Sequence, residues 1–264
     1  MQVTSPPQLT FSLQTDNYLD QSFQRVLFPF RCLQHALFQS RFSIKHNFIK
    51  PHNRSYYIFS FFGTLCLFFY IYYFSVVIKN IDSTIEFFFK TNSYLPFIPF
   101  LIFYVLNIIQ RNDHVKLVIT IQKSFRLIKF NCKQYKECAL WNWFGVFCHL
   151  FWVIFGLLFF QEIVLAIMFY VVAFHDVSLT YGISMIFLIK NGMVAWIAEV
   201  EYQCGNCLEL EDRKRCEVFK KLFVAYEELM EAYVIFKRLF KISVSNFSSS
   251  VSLTSLYHKD IVCD

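Results

Sequence analysis

Residues 139–189 read ALWNWFGVFCHLFWVIFGLLFFQEIVLAIMFYVVAFHDVSLTYGISMIFLI and contain no lysine and no arginine. The only charged side chains in this stretch are Glu162 and Asp176, and His175 precedes the latter. One membrane-spanning helix needs roughly 20 apolar residues, so the stretch is long enough for two helices and a short turn. It therefore predicts a helical hairpin in a bilayer, with spans over 139–162 and 168–190. The outer turn is predicted over 163–167, with an uncertainty that extends to residue 176.

The basic residues predict the orientation of this hairpin. Both of its ends lie on one side of the bilayer, and lysines and arginines are dense before and after it, which is typical of cytoplasmic flanks. Over the whole chain, Lys79 and Lys90 are the only two of the 25 lysines and arginines that fall in a predicted outer segment. We therefore expect both termini of the chain to be cytoplasmic.

The composition is that of a membrane protein. Apolar residues make up 56% of the 264 residues and charged residues 17%, against roughly 45–50% and about 25% in soluble domains. The net charge of +6 is spread over separate segments, so the charges indicate orientation and no nucleic-acid partner is expected. The nine cysteines are scattered, which argues against a disulfide framework, and the first 55 residues hold no cleavable signal peptide. The predicted fold is all-α, a polytopic bundle in the membrane.

The remaining segments follow from the same patterns. The chain is predicted to open with a cytoplasmic segment over 1–55, in which residues 23–42 form either an amphipathic piece on the inner membrane surface or a loosely ordered stretch. The next segments are a first span over 56–78, an outer loop over 79–93, a second span over 94–110 and a basic cytoplasmic loop over 111–138. Apolar residues recur in that loop with a helical period, which predicts a surface-lying or stacked helix.

The C-terminal part differs in kind from the spans. Between residues 216 and 240 apolar side chains recur every three or four positions, which predicts an amphipathic helix within a cytoplasmic region over 191–242. The stretch 243–264 is rich in serine and is predicted to be disordered.

The candidate chemistry is sparse. Iron-dependent membrane enzymes use closely spaced histidines, whereas no two of the seven histidines here lie within five positions of each other. Cys204 and Cys207 have metal-ligand spacing and Cys216 is a possible third ligand, but a structural zinc site needs four. We therefore expect no metal, no cofactor and no enzymatic activity.

Aromatic and ionisable residues in the spans have two interpretations each. His175 and Asp176 are either part of the outer turn, which the pattern favours, or a functional pair buried in the bilayer. Tyr94, Trp152, Tyr170 and Tyr181 either line a pocket between helices or belong to the core and the interfacial belt.

Three stretches carry a resemblance to a known family. They are YVLNIIQ at 104–110 with VITIQK at 118–123, FLIKNGMVAWIAEVEY at 187–202, and FVAYEELMEAY at 223–233. Together they resemble the insect gustatory receptors, especially those of moths and butterflies. The likeness is diffuse and covers most of residues 25–241.

The resemblance implies a seven-helix plasma-membrane receptor that detects small-molecule tastants. Family members assemble as homomeric or heteromeric tetramers and form ligand-gated cation channels. A tastant pocket in the outer half of the bundle would draw on the candidates Tyr94, Phe97, Trp152, Tyr170, His175 and Tyr181. The family's last helix carries a Thr-Tyr motif and a glutamine that this sequence lacks. The resemblance thus implies a chain truncated at its C-terminal side, which we expect to conduct nothing alone.

A second function class remains open. A complete four-span transporter or assembly protein would have the same hydropathy pattern. In that case we would expect His175 or Glu162 to pair with polar groups inside the bundle.

Overall fold

The computed structural model describes residues 17–36, 39–77, 97–160, 163–205 and 212–262. Side chains are not described over 74–77, 97–100, 156–160, 163–177 and 242–262, nor at a few other positions such as Trp152. The described elements are, in order, α1 (Gln21–Ala36), β1 (Ser43–Lys45), β2 (Phe48–Lys50), α2 (Arg54–Val77), α3 (Phe97–Ile109), α4 (Arg111–Ile128), α5 (Cys132–Phe160), α6 (Ile163–Gly205) and α7 (Asp212–Val262). The all-α prediction is confirmed, with one short hairpin added.

The core lies where α1, α4, α7 and parts of α5 and α6 meet, and we call this region the base. Helix α4 packs on α7, α1 packs on α5, and α6 contacts both α5 and α7. Each helix contributes apolar side chains that are almost fully buried, among them Phe23, Val118, Phe125, Met185 and Leu229. Helix α1 is therefore neither loosely ordered nor a surface piece, because its apolar face, including Phe23, is enclosed by α4, α5 and α6.

Helix α4 ends in a Schellman-type cap. Lys129 adopts the left-handed conformation with φ 56° and ψ 48°, and the Phe130 N–H donates to the carbonyl of Phe125 at 2.9 Å. The Phe130 ring stacks on the Phe125 ring at a centroid distance of 4.2 Å. This apolar contact accompanies the cap and turns the chain sharply into α5.

The β-hairpin holds the N-terminal segment against the base. His46 and Asn47 both have positive φ, as a two-residue hairpin turn requires, and they bring Ile44 opposite Ile49. The segment before α1 adds to this hairpin through the Ile49 N–H, which donates to the carbonyl of Asn17 at 3.0 Å. The sequence analysis missed the hairpin because His-Asn lacks the glycine of the strongest turn signal.

The segment before α1 is also fastened to α4. Arg126 binds Asp20 through two hydrogen bonds, with Nε to Oδ2 at 2.9 Å and Nη2 to Oδ1 at 3.0 Å. Gln122 accepts from the Asp20 N–H and donates to the carbonyl of Tyr18. These contacts fix the N-terminal segment to the base.

Away from the base, the helices expose apolar side chains. On α5 a continuous stripe of large apolar residues is between 38 and 69% exposed: Leu140, Trp141, Phe144, Phe147, Leu150, Phe151, Ile154 and Phe155. Helix α2 exposes a similar set, Ile58, Phe59, Phe61, Phe62, Phe69 and Tyr73. Contiguous exposed apolar patches mark surfaces that contact a membrane, another protein or an apolar ligand.

Among the described side chains, one helical segment is long and apolar enough to cross a bilayer, Ser178–Gly205 of α6. Buried helices of soluble proteins share this property. The exposed apolar faces of α2 and α5 are therefore the separate observation on which a membrane assignment depends.

Three predicted boundaries are corrected. Residues 163–167 were predicted as a turn but belong to α6, because IVLAI contains no turn-forming residue. The span predicted to end at residue 190 continues as helix to Gly205. Residues 243–262 were predicted to be disordered but continue α7, because the stretch contains neither Gly nor Pro and an existing helix needs no new nucleus. The predicted outer loop at 79–93 lies outside the described residues.

Candidate functional site

A buried polar segment, Gln39 to Phe42, runs between α1 and β1 and brings an arginine into the base. Ser40 holds the segment in place: its N–H donates to the hydroxyl of Tyr56 at 3.0 Å, and its Oγ donates to the carbonyl of Phe42 at 3.1 Å. His52 Nε2 lies 2.9 Å from Ser40 Oγ. With both neighbours fixed, the side chain of Arg41 is directed into the core.

Arg41 is the centre of what we call the arginine cluster, formed by Arg41, His114, Tyr181 and Phe240. The guanidinium carbon lies 4.3 Å from the ring centroid of Tyr181 and 5.6 Å from that of Phe240. Arg41 Nη1 is 3.4 Å from His114 Nε2. The cluster thus joins the N-terminal segment, α4, α6 and α7.

Burial determines the protonation states in the cluster. Arg41 is 5% exposed, and burial lowers its pKa to about 10, so the guanidinium keeps its charge at neutral pH. Burial, together with the nearby charge of Arg41, places the pKa of His114 well below its ordinary value. His114 is therefore neutral, and its Nε2 accepts from Arg41 while Nδ1 carries the proton.

Two polar atoms of the cluster have no hydrogen-bond partner among the described residues. They are His114 Nδ1 and the hydroxyl of Tyr181, and both side chains are at most 2% exposed. Arg41 forms no ion pair within the described part of the chain. The cation is stabilised instead by the faces of two aromatic rings, an interaction worth roughly 2 kcal/mol when desolvated.

The arginine cluster offers hydrogen-bond donors and aromatic faces, and no carboxylate or nucleophile accompanies them among the described residues. Each member of the cluster comes from a different segment of the chain. A displacement of α6 at Tyr181 would therefore change the contacts of Phe240 on α7. The cluster therefore connects the helix of the predicted fourth span to the helix that follows it.

A second buried polar contact involves Ser184, which lies about one turn after Tyr181 on α6. Asn142 Nδ2 donates to the carbonyl of Val26 at 2.8 Å, and Ser184 Oγ donates to Asn142 Oδ1 at 2.8 Å. These bonds join α1, α5 and α6. On α5, the polar Asn142 thus faces the interior while the exposed stripe is apolar, the reverse of the pattern in a soluble helix.

Most of the predicted pocket residues are located only by their helices. Tyr94 lies outside the described residues. Phe97 begins α3, Trp152 lies in α5, and Tyr170 and His175 lie in α6, with no side chain described for any of the four. The outer-half tastant pocket therefore remains a prediction.

Tyr181 is almost fully buried in the base, where its ring packs on Arg41 and His114. This contact agrees with the core alternative of the sequence prediction. A contribution of Tyr181 to an outer-half pocket stays a prediction.

His175 and Asp176 are helical rather than part of a turn, because α6 is continuous from Ile163 to Gly205. The turn that the pattern favoured for this pair is therefore wrong. The other interpretation, a functional pair within the bilayer, stays a prediction. Glu162 lies outside the described residues, so the pairing expected for a transporter is likewise untested.

Two of the three candidate cysteine ligands lie in the described part of the chain. Cys204 lies exposed near the end of α6 and Cys216 lies exposed in α7, while Cys207 is outside the described residues. Within the described part of the chain, no three His, Cys, Asp or Glu side chains are grouped as a metal site requires.

Sequence reasoning did not single out Arg41 or His114. A signal existed for His114, since it precedes Val118, Ile121 and Phe125 at helical spacing and so lies on the apolar face of α4. Arg41 had no such signal, because it lies in an irregular segment whose burial depends on contacts distant in sequence.

Comparisons of the chain with protein-family models, with curated proteins and with solved structures found no significant match.

Proposed function

We propose that this chain is a multi-pass plasma-membrane receptor subunit of the gustatory type, with the base in the cytoplasm. The observation that carries the proposal is the apolar stripe on α5, whose large side chains from Phe147 to Phe155 are exposed. A contiguous face of such side chains is stable in lipid and unfavourable in water. Helix α2 presents a similar exposed apolar face.

The distribution of charge supports the cytoplasmic assignment of the base. Its exposed residues include the ion pairs Lys116 with Glu231 and Arg238 with Asp113, at 2.5 and 2.9 Å. Residues 139–189, which make up nearly all of the predicted hairpin, contain by contrast no lysine and no arginine. Basic segments are retained on the cytoplasmic side of membranes.

The assignment of the chain as a receptor subunit depends on the resemblance to gustatory receptors. In such a subunit, tastant binding in the outer half of the bundle would move α6, and the arginine cluster would transmit that movement to α7. The protein would act as a subunit of a ligand-gated cation channel, assembled with further copies or with related subunits.

Glycosylation mapping tests the membrane topology. A flexible Gly/Ser insert carrying an Asn-X-Thr acceptor is placed after Glu86, in the predicted outer loop, and in a matched variant after Asn206, on the predicted cytoplasmic side. We expect a glycan on the first variant and none on the second, read as a glycosidase-sensitive shift in mass.

The native acceptor sequences at Asn53 and Asn246 serve as internal controls, because both lie in segments predicted to be cytoplasmic. A glycan on Asn53, or on the insert after Asn206, contradicts the topology.

The site of expression and the effect of deleting the gene test the assignment as a receptor. We expect the transcript in chemosensory neurons, and we expect its deletion to remove the response of those neurons to at least one class of tastant. Normal responses to sugars, bitter compounds and carbon dioxide after deletion would contradict the receptor assignment and leave the topology intact.

A further inference from the structure

An open cleft lies where the first predicted span begins and the second ends. It has a volume of about 450 Å³ and is lined by Asn17, Lys50, Pro51, His52, Asn53, Arg54, Arg111 and Asn112. Arg54 begins α2 and Arg111 begins α4, directly after α3. The hydrogen bond from the Tyr104 hydroxyl to the carbonyl of Tyr57 holds α3 against the start of α2 and so keeps the two arginines at one site.

The charge in the cleft is of one sign. Lys50, Arg54 and Arg111 contribute three cations, and no carboxylate lines the cleft. None of the three forms an ion pair among the described residues. The nearest acidic side chain along α4, Asp113, is bound to Arg238 at 2.9 Å.

A neighbouring cleft shows how the rest of this surface is neutralised. It is lined by Lys116 and Lys123 together with Glu228 and Glu231, and Lys116 pairs directly with Glu231. The positive charges on that side of α4 are therefore neutralised by carboxylates of the protein itself. The positive charges in the cleft at Arg54 and Arg111 are not neutralised in this way, so an anion from outside the chain would be bound there.

The other polar groups suit an anion as well. Asn17, Asn53 and Asn112 offer amide donors at the rim. His52 adds no charge, because burial, reinforced by its neighbour His35, lowers its pKa to about 4.

We propose that this cleft binds the phosphate groups of an anionic lipid headgroup from the cytoplasmic leaflet. The inference rests on the proposed membrane topology, which places the start of α2 and the end of α3 at the level of those headgroups. Guanidinium and ammonium groups that converge between membrane helices on the cytoplasmic side match multiply phosphorylated headgroups in charge and geometry. The bound lipid would fix the spacing of the first two spans.

The test measures lipid binding to the full chain purified in detergent. Binding of a short-chain phosphatidylinositol bisphosphate is compared with binding of phosphatidylcholine of the same chain length, by native mass spectrometry. We expect saturable binding of the phosphorylated lipid only. The K50Q/R54Q/R111Q variant should bind it on the order of a hundredfold more weakly, about fivefold for each lost charge.

A matched variant distinguishes the loss of the binding site from a general loss of positive charge. K220Q/K221Q/K237Q removes the same number of positive charges from exposed positions on α7 that do not line the cleft. It should bind like the wild type, as should the charge-preserving K50R/R54K/R111K variant. Equal weakening in both glutamine variants would overturn the site, because it would reduce the effect to net charge.

Two further outcomes are decisive. If inorganic phosphate or a soluble inositol phosphate binds the cleft as tightly as the lipid does, the ligand is a free anion and the lipid assignment is overturned. Equal binding of phosphatidylcholine overturns it as well. Glycosylation mapping reports on the topology separately, so failure of the lipid site and failure of the proposed function are distinguishable.

Discussion

Tyr181 combines two features that are seldom found together in a core. Its ring supports the guanidinium of Arg41 at 4.3 Å, while its hydroxyl is buried with no partner among the described residues. The ring stabilises the cluster, and the hydroxyl carries a desolvation cost. The two contributions can be separated by substitution.

The Y181F variant keeps the ring and removes the hydroxyl. We expect it to raise the stability of the protein by about 1 kcal/mol, because an unsatisfied buried polar group is lost. The Y181L variant should lower stability by about 2–4 kcal/mol through loss of the aromatic face and of packing volume. Thermal unfolding in detergent, followed by tryptophan fluorescence, measures both. A less stable Y181F would indicate that a bound molecule occupies the hydroxyl.

The role of Tyr181 illustrates what residue-level reasoning provides. The sequence identified it as a pocket or core aromatic, and the structure places it in the core. Its cationic neighbour could not be predicted, because Arg41 and Tyr181 are 140 positions apart. A pairing at that distance depends on how α1, α4 and α6 pack, which no local pattern records.

At the scale of elements, Gly192 explains why α6 continues where the sequence predicted an end. Asn191 and Gly192 after an apolar run resemble a helix stop signal. In the structure the glycine lies inside the helix, where α4 and α7 approach closely. A Cβ at this position would lie 2.8 Å from Leu229 Cδ2 and 2.8 Å from Phe125 Cε1. Both neighbours are fully buried, so neither has room to move away.

We expect G192A to destabilise the protein by about 1–3 kcal/mol, the usual cost of overpacking a core. The matched variant is G145A in α5, where the new Cβ would meet Thr180 Cγ2 at an ordinary 3.5 Å. G145A should be neutral, or stabilising by up to about 1 kcal/mol through helix propensity. Thermal melting of the two variants side by side measures the difference, and a larger loss in G145A would contradict the packing described here.

The type of each element was largely predictable, and the ends were not. Apolar period and charge density identified α4 and the 216–240 part of α7, since those signals are local. The end of α6 and the hairpin at His46 and Asn47 were not predicted. The conformations that Gly and Asn adopt depend on the residues that pack against them, and these are distant in sequence.

At the scale of the whole molecule, the base and the loop beside it contain three histidines whose pKa values the fold lowers. Burial lowers the pKa values of His35, His52 and His114, that of His52 to about 4, with smaller contributions from charged neighbours. In the unfolded chain each would titrate near 6.5. Between about pH 6.5 and 4 the unfolded state therefore binds more protons, and the stability of the fold decreases as the pH falls.

We expect the melting temperature to be constant above about pH 7 and to fall by several degrees between pH 6.5 and pH 5, since each kcal/mol shifts the Tm by about 2–4 °C at this size. In the H52Q/H114Q variant, the melting temperature should depend much less on pH in this range. The H46N variant, which changes an exposed histidine in the hairpin turn, should show the same pH dependence as the wild type. An unchanged pH dependence in H52Q/H114Q would contradict the assignment of this effect to His52 and His114.

The length of α6 has a mechanical consequence. Its 43 residues give a helix about 65 Å long, whereas the hydrocarbon core of a bilayer is about 30 Å thick. If α6 crosses a bilayer once, more than half of its length extends beyond the hydrocarbon layer. A rotation by about 5° about one end of the helix displaces the other end by about 6 Å, which is roughly the pitch of one helical turn. The length of α6 therefore converts a small rotation at one end into a displacement of about one helical turn at the other.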